Sequence, residues 1–167
     1  MTNQEIFQIA LRQSAADSNC DPSDFEQSAN KIVYSGKRPE ARRYLELPFS
    51  CDLVSYGNNI VASVSPQVEV AVRQYIGKYP VEHCFETPNL HVLNEALAPY
   101  GQKICFMAEY FLPDMGKLHA AECSYEVRIL HPADFVGLYR PEWSNALCED
   151  RKQLDVQAAS PTSLPPS

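Results

Sequence analysis

The chain has 167 residues, 45% of them apolar and 21% charged, enough apolar matter for one large or two small packed domains. Its formal net charge of -7 excludes nucleic acid or an anionic membrane as the main partner, and the one basic grouping, Lys37-Arg38 with Arg42-Arg43, reads as a solvated loop. No stretch approaches the roughly 20 apolar residues of a membrane span and the N-terminus lacks the layout of a signal peptide, so the expected place is the cytoplasm.

Gln4 to Ser14 predicts a helix, with Ile6, Phe7, Ala10 and Leu11 as its apolar stripe. Asp21-Pro22-Ser23-Asp24 is a second helix start, Asp as cap and Pro just inside, leading into Phe25. Lys31 to Ser35 predicts a short strand closed by Gly36, and Arg38 to Glu46 is polar, ending at Leu47-Pro48-Phe49. The first fifty residues hold too few apolar positions to fold alone, so they must lie against a hairpin and sheet formed later in the chain.

The stretch from Asn58 to Pro113 organises the chain. Tyr56-Gly57-Asn58-Asn59 is turn chemistry between two β-branched runs, Cys51 to Ser55 and Ile60 to Val64, and predicts a hairpin. Ser65 then stands as a helix cap with Pro66 at the first helical position, and Val68, Val72, Tyr75, Ile76 and Tyr79 come after it at helical spacing. After Gly77 and Pro80, the run Val81 to Phe85 predicts a short strand. Thr87-Pro88 repeats the cap-plus-proline start, with Leu90, Leu93, Leu97 and Tyr100 on one face and Gly101 at the left-handed C-cap. From Lys103 to Leu112 both alternating faces are largely apolar, which predicts a strand in the middle of a sheet, with Phe106, Tyr110 and Phe111 as core.

Residues 114–122, from Asp114-Met115-Gly116-Lys117 to Glu122, have linker composition. Tyr125, Val127 and Ile129 then alternate with Glu126 and Arg128 as a half-buried strand, and His131-Pro132-Ala133-Asp134-Phe135 opens a helix. Beyond Val156, residues 157–167 are rich in Pro and Ser, a composition that cannot form a core and is expected to be disordered.

The order strand, S-P-initiated helix, short strand, helix ending Tyr-Gly, long strand resembles a GNAT-type (acetyl-CoA-dependent) N-acetyltransferase domain. The phrase Val127-Arg128-Ile129-Leu130-His131-Pro132-Ala133-Asp134-Phe135 resembles the opening of a second such domain. The run from Tyr44 to Asp155, including LPFSCDLVSYGNNIVASV, EHCFETPNLHVLNEAL and PEWSNALCEDRKQLDV, is similar to the bacterial tandem-domain kind. The resemblance implies an α+β fold, a GNAT-like central mixed sheet flanked by helices, followed by a strand-helix remnant of a second domain. It divides the chain into a degenerate first domain at 1–113, a linker at 114–122, the truncated start of a catalytic domain at 123–156 and a tail at 157–167.

In that family the loop before the first of these helices, Q/R-x-x-G-x-G/A, holds the coenzyme A pyrophosphate on backbone N–H groups. This chain has Gln67-Val68-Glu69-Val70-Ala71-Val72 there, with no glycine and with an acidic Glu69. No coenzyme-binding residue is therefore expected, and the chain alone is expected to be inactive. Acetyl-CoA belongs to the full-length parent as its co-substrate, with a small-molecule or peptide amine as acceptor. Trp143, in the segment that walls the acceptor cleft of the family, is a candidate substrate contact, joined by its neighbours Glu142 and Asn145. The plainer role for Trp143 is to bury area at a domain interface.

Two other readings compete. A glycine-less copy suits a non-enzymatic scaffold or effector-binding module. Cys84 with His83, Glu86 and His91 suggests a thiol nucleophile or a metal site, but strand alternation would send His83 and Cys84 to opposite faces, and the spacing is not that of a zinc site. No metal is expected. The six cysteines, at 20, 51, 84, 105, 123 and 148, form no C-x-x-C pair and read as small buried hydrophobes. Exposed sheet edges make self-association an expected property.

Overall fold

The computed structural model describes residues 1–43, 45–119 and 122–128 and positions 131, 134 and 142. The chain divides into two units, Met1–Leu118 and His119–Ser167. The first is α+β, with three α-helices and a mixed three-stranded sheet among its described residues. In order they are α1 (Asn3–Ser18), β1 (Lys31–Tyr34), β2 (Cys51–Val54), β3 (Val61–Val64), α2 (Glu69–Lys78) and α3 (Thr87–Leu97).

Helix α1 is longer than its apolar stripe because both ends are capped. Thr2 Oγ1 accepts from the Glu5 N–H, and the Glu5 carboxylate accepts from the Thr2 N–H, a reciprocal capping box. At the other end Asn19 takes a left-handed conformation, φ 58°, and the Cys20 N–H reaches back to the Ala15 carbonyl. The predicted start at Asp21-Pro22 forms a 3-10 helix, Pro22–Glu26, capped reciprocally by Asp21 and Asp24. Gly36 lies close to the Asn19 side chain: a Cβ there would stand 2.7 Å from Asn19 Nδ2 and force that amide to shift.

The hairpin forms as its turn chemistry predicts. β2 and β3 are antiparallel, with Leu53 opposite Ala62, and Gly57 carries the turn at φ 102°. β1 joins the other edge of β3 in parallel, Ile32 opposite Ala62, so the order is β1-β3-β2. Central β3 is buried along its whole length.

Strand alternation then sorts the core into two layers. Ile60, Ala62 and Val64 pack with Val68, Val72, Tyr75 and Ile76 of the α2 region and with Leu93 and Leu97 of α3. Val61 faces the opposite way, onto Leu11 and Ala15 of α1, Cys20 and Phe25. Tyr56, from the hairpin turn, fastens this second layer: its ring meets Phe7 and Phe25 edge-on, and its hydroxyl lies 2.9 Å from Ser14 Oγ. The first fifty residues do lie against the sheet.

Two amide side chains lock the layers. Asn59, fully buried, donates to the carbonyls of Asp24 (2.8 Å) and Ala29 (2.9 Å). Asn30 donates to the Ile76 carbonyl and accepts from the Ile60 N–H, both at 2.8 Å, tying the end of α2 to the start of β3.

Four expectations are corrected. Val81 to Phe85 does not form a strand; Glu82–Phe85 is a 3-10 helix, because the His83 and Cys84 N–H groups both fold back onto the Pro80 carbonyl at 3.1 Å. Residues 102–112 belong to no helix or strand, and Phe106, Tyr110 and Phe111 are 54%, 70% and 87% exposed rather than core. A central strand needs two neighbours, and among the described residues no strand lies beside this segment. Ser65 and Pro66 do not start α2. The Ser65 N–H stays in the ladder with the Ser50 carbonyl (2.8 Å) and its hydroxyl is buried without a partner, so a turn closed by Val68 N–H on the Ser65 carbonyl (3.1 Å) intervenes before Glu69. Finally, Cys105 and Cys123 are exposed, whereas Cys20 and Cys84 are buried as expected and Cys51 is half-buried.

The second predicted helix holds more closely. α3 begins at Thr87 with Pro88 in its first turn, although Glu86 rather than Thr87 occupies the cap, and Gly101 sits left-handed at φ 69° after a final 3-10 turn. In the second unit, residues 122–128 carry no strand where one was predicted to begin. The His131 N–H donates to Asp134 Oδ2 (2.9 Å) and the Asp134 N–H to the His131 carbonyl (2.8 Å), while the rest of the helix expected there lies outside the described residues.

Candidate functional site

By resemblance, a diphosphate cradle would lie where β3 passes into α2. In this chain the Val68 N–H is spent on the Ser65 carbonyl, and the Val72 N–H on the Val68 carbonyl. Glu69 occupies the first residue of the helix, where a carboxylate is favoured by the helix dipole and an incoming phosphate would meet like charge. Arg73 Nη2 donates to Glu69 Oε1 (2.7 Å) and the Tyr34 hydroxyl to Oε2 (2.8 Å), and these bonds, Arg73 first, hold the Glu69 carboxyl below its ordinary range. The first turn of the helix thus carries an internal anion held by Arg73 and Tyr34, and among the described residues no side chain caps the helix N–H groups.

The Cys84 group is arranged for packing. Cys84 is fully buried, its thiol lies 3.7 Å from the Tyr79 carbonyl, and burial pushes its pKa up, away from the thiolate a nucleophile needs. The Tyr75 hydroxyl donates to the Cys84 carbonyl at 2.7 Å, and burial pushes that phenol up to about 12. His83 is turned outward, with Nδ1 2.8 Å from Glu86 Oε1; the Glu86 hydrogen bond raises the imidazole pKa. Base and thiol therefore serve different surfaces.

The sequence reading missed a charged cluster on the α1 face of the sheet. Asp17, 6% exposed near the end of α1, accepts from the Arg42 backbone N–H (2.8 Å), from Arg42 Nε and from Gln13 Nε2 (3.1 Å). Arg42 also lies over the Tyr110 ring, 5.5 Å from its centroid. Arg42 is accordingly a structural anchor and not the solvated loop charge expected of it. Asp52, opposite Ser63 in the ladder, shares this face; burial first, and the Asp17 charge second, raise its carboxyl pKa, while Arg42 opposes them. Residues 25 and 35 positions apart in the sequence carry no local signal for such a cluster. Only the packing of α1 on the sheet brings them together.

Of the substrate-contact candidates, Glu142 is exposed, and Trp143 and Asn145 lie outside the described residues. Among the described residues, no group of three or more His, Cys, Asp or Glu is placed to hold a metal ion, and no helix is long and apolar enough to cross a membrane. The larger recess, about 670 Å³, is lined among described residues by one face of α1, including Gln4, Gln8 and Arg12. Comparison with protein-family models, with curated proteins and with solved structures gave no match.

Proposed function

We propose that this chain is the N-terminal portion of a GNAT-type N-acetyltransferase, and that its first unit is a structural domain of that enzyme with no coenzyme site of its own. The parent would transfer acetyl from acetyl-CoA to an amine, which attacks the thioester carbonyl with help from a general base and a donor for the developing oxyanion. The order of hairpin, turn, helix, and helix ending at Tyr100-Gly101 supports the family, together with the sequence runs that resemble it. The missing Val81–Phe85 and 102–112 strands count against a complete family sheet in this chain.

The observation that carries the non-catalytic part is the β3–α2 junction, where no glycine opens the backbone and the first helical residue, Glu69, is an anion held by Arg73 and Tyr34. Trp143, with Glu142 and Asn145, is where contact with the amine would be sought in the parent. The same junction favours a second reading, a scaffold or effector-binding module outside any enzyme.

Titration calorimetry separates them. The 167-residue chain is expected to give no heat with acetyl-CoA at high micromolar concentration, and micromolar binding would refute the junction argument. A version whose reading frame continues beyond Val156 into a glycine loop is expected to bind acetyl-CoA and release free thiol with an amine. A frame without such a loop leaves the module reading standing.

A further inference from the structure

Residues 102–112 are an apolar run that no element of the first unit pairs. Phe106 and Met107 are each 54% exposed and Phe111 is 87% exposed, and the segment belongs to no helix or strand. Apolar, unladdered backbone of this kind is a template for strand pairing with another chain.

Its attachments to its own unit fall on even-numbered positions. Ile104 packs on the core and its N–H donates to Asn94 Oδ1 (3.0 Å), the Phe106 ring meets Phe49 with centroids 5.9 Å apart, and Tyr110 lies beneath Arg42. Cys105, Met107, Glu109 and Phe111, the odd-numbered positions, are exposed. The Ile104 N–H spends the even-numbered backbone edge on its own unit, so pairing with another chain would use the opposite edge, that of Cys105 and Met107, and leave those attachments in place.

The charges identify the occupant. The segment carries one cation, Lys103, and one anion, Glu109, both exposed and placed equally on either side of Phe106. We propose that two copies of this chain associate by antiparallel pairing of residues 103–109, with Phe106 opposite Phe106 on the two-fold axis. In that register Lys103 of each copy faces Glu109 of the other, so both charges are matched twice, while Ile104 faces Ala108 and Cys105 faces Met107. An uncharged apolar strand from another protein would leave both charges unmatched. Pro113, which has no N–H, ends the ladder on one side, and left-handed Gly101 turns the chain away on the other. The pairing is independent of the acetyl-transfer reading.

Sedimentation equilibrium on the full 167-residue chain tests it. A concentration-dependent dimer is expected, and Lys103→Glu or Glu109→Lys alone should weaken it on the order of tenfold by creating two like-charge pairs. An equimolar mixture of the two single variants should dimerise again, since each then supplies the charge its partner lacks. In Met107→Cys, oxidation should link Cys105 of one copy to the new cysteine of the other. A chain that stays monomeric at about 100 μM, association indifferent to both charge changes, a mixture that fails to recover, or a 105-to-105 link would each overturn the proposal.

Discussion

Two apolar, alternating stretches of this chain meet opposite fates. Residues 60–64 lie wholly inside, with a strand on each side and a helical layer on each face; residues 102–112, also largely apolar, touch the core only through Ile104, are mostly exposed and join no strand. Their composition does not separate them. What separates them is the supply of partners: β3 has β2 delivered by a tight turn and β1 by a return across the sheet, whereas Glu82–Phe85, on the far side of α3, coils into a 3-10 helix and offers 102–112 no edge. Alternation specifies which faces a strand would bury, and a neighbouring edge decides whether there is a strand at all.

The sharpest way to break this comparison is a pair of substitutions followed by chemical denaturation. Ile60→Ala opens a cavity between two packed layers and is expected to cost about 2–5 kcal/mol, whereas Phe111→Ser should change stability by no more than about 0.5 kcal/mol. Similar losses at both sites would mean that residues 102–112 are buried after all. Next in size, Arg42→Ala strips the counter-ion from nearly buried Asp17 and is expected to cost about 3 kcal/mol, a loss that Asp17→Asn in the same chain should partly recover. A loss below about 1 kcal/mol would return Arg42 to the role of a solvated loop charge.

The smallest expected effect is a gain. Folding raises the Asp52 pKa, so the native state holds that proton at pH values where the unfolded chain has released it. Stability therefore falls as pH rises from the ordinary carboxylate range through the folded value and is level above it. Asp52→Asn removes this cost. The variant should melt higher than the parent at pH 7, with the difference closing below the ordinary carboxylate range, and a gain that persisted unchanged at low pH would show that it does not come from the buried Asp52 charge.

Local punctuation was readable wherever it acted locally. Gly57 fixed the hairpin, Pro22 and Pro88 marked helical starts, and Gly101 marked a stop, because each constrains φ or removes a donor at its own position. Ser65-Pro66 carried the same signature and misled, since the Ser65 backbone was still engaged with Ser50 across the sheet. The buried Asn59 was readable as a turn residue but not as the bracket that joins β3 to the segment after α1.

Sequence alone determined the α+β class, the hairpin around Gly57 and the absence of glycine where a diphosphate loop would need it, for these depend on residue type within a few positions. Tertiary structure alone decided that residues 102–112 would go unpaired and that Asp17, Arg42 and Asp52 would meet. Pairing and charge clustering join residues that are distant along the chain, and their free energy exists only once the layers have closed around them.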